Sequence, residues 1–176
     1  MGIETLMVSL FIMLAQLILS LALAMGAVYI GLKLFDKLTD GIDELAELRK
    51  GNVAVAILLG AIILSIASVI DGGVSGLMSS ISPEMSASHL AASIVIGICN
   101  LLLSLILAVF SIYIAITILD KITVDIDEFK ELKKGNIAVA IMMAAVLIAV
   151  SVVIRAAVVG MSNSLSPSNV AAALGW

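Results

Sequence analysis

Charged residues are scarce in this sequence. Only 12% of the 176 residues are charged, whereas 62% are hydrophobic. A soluble domain of this size is about half apolar and about a quarter charged. The net charge is −4, and no basic stripe carries aromatic side chains on which bases would stack. We therefore expect no nucleic-acid partner.

The sequence also has little of the chemistry that enzymes and metal sites need. It contains one cysteine, Cys99, and one histidine, His89. A lone thiol forms no disulfide within the chain and no metal-spaced cluster is present, so we interpret Cys99 as a buried small apolar residue. His89 follows a Ser-rich stretch and has no acidic partner to orient it. We predict that the protein is not an enzyme and holds no metal or cofactor.

Four long runs without charge dominate what remains. They cover Thr5–Leu32, Val53–Ile70, Leu90–Leu119 and Ile137–Ile154. About 20 apolar residues cross a bilayer core roughly 30 Å thick, and a span must be a helix or part of a closed barrel. Barrel strands are shorter and alternate in polarity. The first run also has no basic residue before Lys33, unlike a cleaved signal peptide. The sequence predicts an all-α integral membrane protein with four transmembrane helices.

The chain repeats itself without a gap. Asp36–Thr39 recurs as Asp120–Thr123, and Lys50–Ile57 recurs as Lys134–Ile141, a shift of 84 residues (120 minus 36). Each copy is an apolar helix, a charged connector and a second apolar helix. Two crossings return the chain to its starting side, which predicts two parallel tandem hairpins. Repeat 1 covers residues 1–84 with its connector at 36–51, and repeat 2 covers residues 85–176 with its connector at 120–135.

The basic residues predict the orientation in the membrane. Eight of the nine lie in or beside the connectors: Lys33, Lys37, Arg49, Lys50, Lys121, Lys130, Lys133 and Lys134. The other side, formed by the N-terminus, residues 78–89 and the C-terminal tail, has none. Lys and Arg favour the cytoplasmic side of a membrane. We therefore expect cytoplasmic connectors and both termini outside.

Each connector has the pattern of an amphipathic helix. Apolar residues recur at steps of four, three and three: Leu38, Ile42, Leu45 and Leu48 in the first copy, and Ile122, Ile126, Phe129 and Leu132 in the second. The other face is charged: it carries Asp43, Glu44, Glu47 and Lys50 in the first copy, and Asp127, Glu128, Glu131 and Lys134 in the second. Gly51 and Gly135 suit a helix end, and Asn52 and Asn136 suit the cap of the next helix.

Two interpretations of the connectors remain open. Each can be an amphipathic helix that turns the chain, either at the membrane interface or as an extension of the first helix. Alternatively, the acidic residues form a docking face for a cytoplasmic partner or for a neighbouring subunit.

Ionisable residues inside apolar runs are candidates for function. Asp71 and Arg155 occupy equivalent positions in the two repeats, and Gln16 and Asn100 form a second matched pair. We hypothesise that these four residues form one polar layer in the outer leaflet. It is either a structural salt bridge with two interhelical hydrogen bonds or part of an ion or substrate pathway.

Small residues form a matched stripe on the first helix of each repeat, and such stripes let helices approach closely in lipid. We interpret the stripe as a contact face between helices or subunits. Its members are Ser20, Ala24, Ala27 and Gly31 in repeat 1, and Ser104, Ala108, Ser111 and Ala115 in repeat 2.

The duplicated motif Asp-Lys-x-Thr, followed by Lys-Gly-Asn-x-Ala-Val-Ala-Ile, resembles the YjfL-like family of prokaryotic membrane proteins, a domain of unknown function found in tandem copies. The resemblance covers nearly the whole chain and implies a multi-pass protein of the inner membrane. It supplies no catalytic residues. Asp71 and Arg155 lie outside the motif.

Two functions follow from these features. One is a small channel or transporter component that works as a homo-oligomer, because four helices leave little room for a pathway within one subunit. The alternative is a non-transporting scaffold or accessory subunit that docks partners through its charged connectors. Membrane lipids are expected partners in both.

Overall fold

The computed structural model describes residues 43–79, 87–124 and 126–164, with the backbone alone at 77–79 and 87–92, and scattered positions between 7 and 33. Regular structure in these ranges is all helical, as predicted: α1 (Glu44–Arg49), α2 (Val53–Ser79), α3 (Ala87–Ile122), α4 (Glu128–Lys133) and α5 (Ile137–Ser164). Residues 5–32 are called the N-terminal segment below, and every position of it that is described is helical.

Three helices in the described part of the chain are long and apolar enough to cross a membrane. They are Val53–Gly76, Ser93–Ile122 and Ile137–Ser164, which correspond to the second, third and fourth predicted runs. In the N-terminal segment, where only scattered positions are described, an apolar helix runs through Ser20–Ile30. The fourth span therefore stays a prediction.

Two of the helices continue past the ends of their apolar runs. α2 extends to Ser79 and α5 to Ser164, whereas the runs end at Ile70 and Ile154. Asp71 and Arg155 consequently lie within regular helix, and their backbone groups are held in the helical ladder.

α2 is the central helix of the described bundle. It packs most extensively against α5 and also against α3, and α3 in turn contacts α5. Half of the α2 span is buried (50%), compared with 33% of α5 and 28% of α3. The interior is aliphatic: Ile62, Ile66, Ile70, Ile112 and Leu147 are each at most 2% exposed. Many small dispersion contacts therefore hold the three helices together.

The small-residue stripe of α3 lies in this interior. Ser104, Ala108, Ser111 and Ala115 are each at most 1% exposed, in agreement with its interpretation as a contact face. Opposite the stripe, a Cβ atom added to Gly73 of α2 would lie 3.0 Å from Cβ of Ser104 and would collide with its Oγ. α2 and α3 reach this separation because residue 73 has no side chain.

Two sequence interpretations are wrong. The apolar stripe of the second connector does not follow one helix, because α3 ends at Ile122 and α4 begins at Glu128. Ile122 and Ile126 are exposed as a result, while Leu38 and Ile42 of the first connector lie outside the described residues. Cys99 is exposed rather than buried, because it lies away from the buried stripe of α3.

Gly73→Ala is expected to destabilise the bundle by roughly 1–3 kcal/mol, the usual cost of overpacking a well-packed contact. Gly60→Ala in the same helix is the matched control, since a Cβ there meets nothing within 4 Å. That control should be neutral or slightly stabilising, because alanine is the better helix former. Unfolding in detergent would measure both changes, and equal stabilities would contradict the close approach of α2 and α3.

Candidate functional site

The two connectors begin with the same helix cap. The carboxylate of Asp43 accepts a hydrogen bond from the backbone N–H of Ala46 at 2.9 Å, and that of Asp127 accepts one from Lys130 at 3.0 Å. A short side chain that accepts from the first turn satisfies a donor that the helix leaves unpaired. The two caps therefore mark where α1 and α4 begin.

The connectors also end alike. Gly51 and Gly135 have φ angles of +78° and +81°, a conformation that glycine adopts without strain. The N–H of Asn52 donates to Glu47 O and that of Asn136 donates to Glu131 O, both at 3.0 Å, which forms the glycine stop typical of helix C-termini. This prediction is confirmed at both glycines.

One glutamate ties each short helix to the helix that follows. Glu47 accepts from Lys50 Nζ at 2.6 Å and from Asn52 Nδ2 at 3.0 Å, and Glu131 accepts from Lys134 at 2.6 Å and from Asn136 at 2.9 Å. The hydrogen bond from Lys50 is the largest cause of the lowered pKa of Glu47. For Glu131, whose pKa is also lowered, the largest cause is the hydrogen bond from Asn136. The same contact with Glu47 raises the pKa of Lys50.

The asparagines complete the turn into the long helices. Oδ1 of Asn52 accepts from the N–H groups of Ala54 and Val55 at 3.1 and 3.3 Å, and Asn136 caps α5 in the same way. The predicted caps are therefore confirmed. Asn52 has a further role, because its Nδ2 also donates to Leu132 O of the other repeat at 2.9 Å.

The six acidic docking candidates take part in interactions within the structure, and their role in docking stays a prediction. Asp43 and Asp127 are caps, and Glu47 and Glu131 are the clamps between helices. Glu128 is only 5% exposed and bonds Thr123 Oγ1. Glu44 is half-buried and also interacts with another group of the protein. The exposed charge of the connector helices and their ends is mainly basic: Arg49, Lys50, Lys130, Lys133 and Lys134 are exposed, beside the capping residues Asp43 and Asp127.

Of the four residues of the predicted polar layer, two are in contact, one is buried apart from them and one is not described. Arg155 Nη2 lies 2.5 Å from Asp71 Oδ2, and both side chains are about half exposed (48% and 53%). Asn100 is 5% exposed, and no hydrogen bond joins it to either charged residue among the described side chains. Gln16 lies outside the described residues. The structure therefore brings together the two charged members.

A cavity of about 570 Å³ adjoins this ion pair. It lies between the N-terminal segment and α2, where Leu17, Leu21 and Leu64 contribute apolar walls and Asp71 and Arg155 contribute the charged part. No pattern in the sequence indicates a cavity here. Within the described ranges, no group of three or more His, Cys, Asp or Glu residues could hold a metal ion.

Acidification is expected to weaken the connectors. Both clamp carboxyls have a pKa held below the ordinary 4.5. Their contribution is complete at neutral pH and is lost as the pH falls below 4.5 through the lowered pKa, because the unfolded chain takes up these protons first. Thermal unfolding from neutral to about pH 3 should show a shallower pH dependence in the Glu47→Gln/Glu131→Gln variant. Asp120→Asn, at an exposed carboxylate near the end of α3, should keep the wild-type dependence.

The ion pair is tested by reversing its charges. Asp71→Arg and Arg155→Asp each place like charges together and should lower the free energy of unfolding by about 1 kcal/mol. The double variant restores opposite charges and should recover most of this loss. Thermal midpoints and folded yield in detergent measure the cycle. Failure of the double variant to recover would contradict a stabilising contact.

Comparison with protein families gives two matches on this chain, at residues 6–108 and 92–176, to a domain of unknown function, DUF350. Together they cover nearly the whole chain and follow the internal repeat. Comparison with curated proteins and with solved structures found no match. The narrower YjfL-like name stays a prediction. With two tandem matches, the chain belongs to the DUF350 family of domains of unknown function.

Proposed function

We propose that the chain is inserted in a prokaryotic inner membrane as two parallel tandem hairpins, with the connectors on the cytoplasmic side. The lengths and composition of α2, α3 and α5 support this placement. The position of the basic residues supports the orientation. The large apolar side chains that remain exposed, such as Phe11 at 73% and Val153 at 69%, would then face lipid.

We propose that the protein is a non-enzymatic scaffold that binds an acidic partner protein through its connectors. The observation that carries this proposal is the set of exposed basic side chains on the two connector helices, which hydrogen bonds hold in place. Arg49, Lys130 and Lys133 are exposed, and the fold uses none of them in a described ion pair. Such charges complement an acidic surface and speed its association.

The rigidity of the connectors favours recognition of a partner. Caps, glycine stops and glutamate clamps hold both connectors in one conformation, so little ordering entropy is lost on binding. The contact from Asn52 to Leu132 O joins the two connectors into one surface. Leu45 is 68% exposed within it and provides an apolar contact beside the cations.

The second candidate is a homo-oligomeric channel or transporter component. The cavity beside Asp71 and Arg155 favours it, because charged groups inside a membrane are typical of ion and substrate pathways. The interior between α2, α3 and α5 is mainly aliphatic, with buried serines and Asn100 as its polar residues, and this composition disfavours a path within one subunit. A pathway would therefore lie between subunits or between the N-terminal segment and α2.

The scaffold is tested with a photo-crosslinking residue at Leu45 in the full chain, in cells. We expect one discrete protein adduct. It should fall several-fold in the Arg49→Gln/Lys130→Gln/Lys133→Gln variant, because the cations attract the partner. Lys33→Gln/Lys121→Gln, which also removes positive charge but outside the connector helices, should leave the adduct unchanged. The identified partner should then bind the purified chain less tightly as salt is raised.

Adducts with lipid alone would contradict docking and assign the cations to the membrane surface. Solute flux into liposomes that contain the protein tests the second candidate, the channel or transporter. If Asp71→Asn and Arg155→Gln each abolish solute flux, and both variants keep the oligomeric state of the wild type, the channel or transporter function replaces the scaffold.

A further inference from the structure

The two repeats pack differently at equivalent positions. Ser104 of α3, in repeat 2, packs against Gly73 of α2, in repeat 1, and both residues are buried. The shift of 84 residues that relates the repeats makes Ser20 and Ala157 the counterparts of this pair. Ala157 carries the methyl group that Gly73 lacks, and Ala157 is exposed. The equivalent close contact is therefore not made.

The cavity lies between the N-terminal segment and α2, with Arg155 contributed by α5. Ser20 and Ala24 of the N-terminal segment line it and are half-buried. Their counterparts in α3, Ser104 and Ala108, are fully buried (0% exposed). The first helix of repeat 2 is therefore packed closely against α2, whereas the N-terminal segment leaves a cavity beside α2.

The cavity is both apolar and charged. Its residues on α2 extend from Leu64 to Val74, about 15 Å along the helix at roughly 1.5 Å per residue. Its volume of about 570 Å³ is within the range of small-molecule sites, about 300–1,000 Å³. An occupant therefore needs an extended apolar part and a polar part that meets Asp71 and Arg155.

The ion pair leaves bonding capacity on both residues. A guanidinium has five N–H donors, and an ionised carboxylate has about four acceptor positions. Among the described residues, Arg155 and Asp71 use one donor and one acceptor on each other. The unused N–H groups suit a phosphate, to which arginine binds well. The unused carboxylate positions suit a primary ammonium group.

We propose that the cavity binds one phospholipid with a zwitterionic ethanolamine headgroup. Its acyl chain lies along Leu17, Leu21 and Leu64, its phosphate on Arg155 and its ammonium on Asp71. The inference rests on the proposed membrane insertion but does not depend on docking at the connectors. An anionic headgroup without an ammonium meets repulsion from Asp71. A choline headgroup has no N–H to donate to this carboxylate.

The test is retention of lipid by the full chain. Protein reconstituted in nanodiscs with equal amounts of phosphatidylethanolamine, phosphatidylcholine and phosphatidylglycerol is released into mild detergent, and native mass spectrometry identifies the bound lipid. We expect one phosphatidylethanolamine per chain. Ala67→Phe fills the cavity and should reduce retention several-fold. Ala56→Phe makes the same change at an exposed position of α2 and should leave retention unchanged.

The headgroup contacts are tested separately. Asp71→Asn should lower the preference for ethanolamine over choline by about tenfold, since one charge-assisted hydrogen bond is lost. Arg155→Gln should reduce retention of all three lipids. Equal retention by wild type and Ala67→Phe, or a wild-type preference for phosphatidylglycerol, would overturn the proposal. Extraction of the chain from membranes at alkaline pH would instead overturn the insertion on which it rests.

Discussion

The packing of α2 against α5 is the contact on which the rest of the described structure depends. These helices are the second helices of the two repeats, and they meet along their length. Parallel neighbours with the same sequence pattern bring equivalent positions to similar heights. Asp71 therefore reaches Arg155, which lies 84 residues later. α3 then packs in the groove beside both helices, with its small residues inward.

Small differences between the repeats decide where this arrangement departs from symmetry. Gly73 admits Ser104 to a close contact, whereas Ala157 at the equivalent position remains exposed. Asn52 reaches Leu132 O in the other repeat, and Leu132 is fully buried while Leu48 is only half-buried. The first helix of repeat 2 is thus packed into the bundle, whereas the N-terminal segment leaves a cavity beside α2. A duplicated sequence has acquired two different environments.

The connectors show how charge can serve structure in one residue and recognition in its neighbour. Acidic side chains cap, clamp or bond within the connectors, because the N–H groups at helix starts and the nearby lysine and asparagine need acceptors. Among the basic side chains, Lys50 and Lys134 bind the clamp glutamates, whereas Arg49, Lys130 and Lys133 form no ion pair with the described residues. They remain at the surface, where a partner or a lipid headgroup can reach them.

Local sequence features predicted much of this structure. The apolar runs, the glycine stops at Gly51 and Gly135 and the caps at Asn52 and Asn136 depend on residues close in the chain, so pattern and chemistry were enough. The same reasoning failed at Ile122 and Ile126, because a capping aspartate interrupts the helix that the apolar spacing suggested. It also placed Cys99 inside, since hydropathy does not tell which side of an apolar helix meets another helix.

The sequence by itself determined the helical class, the repeat and the equivalence of Asp71 with Arg155, since composition and periodicity are properties of the chain alone. Only the tertiary structure decided that these two side chains touch, that the exposed connector charge is basic and that a cavity lies beside the N-terminal segment. These outcomes depend on how closely helices approach. Single atoms set that distance: Gly73 lacks the methyl group that would collide with Ser104, a residue of another helix.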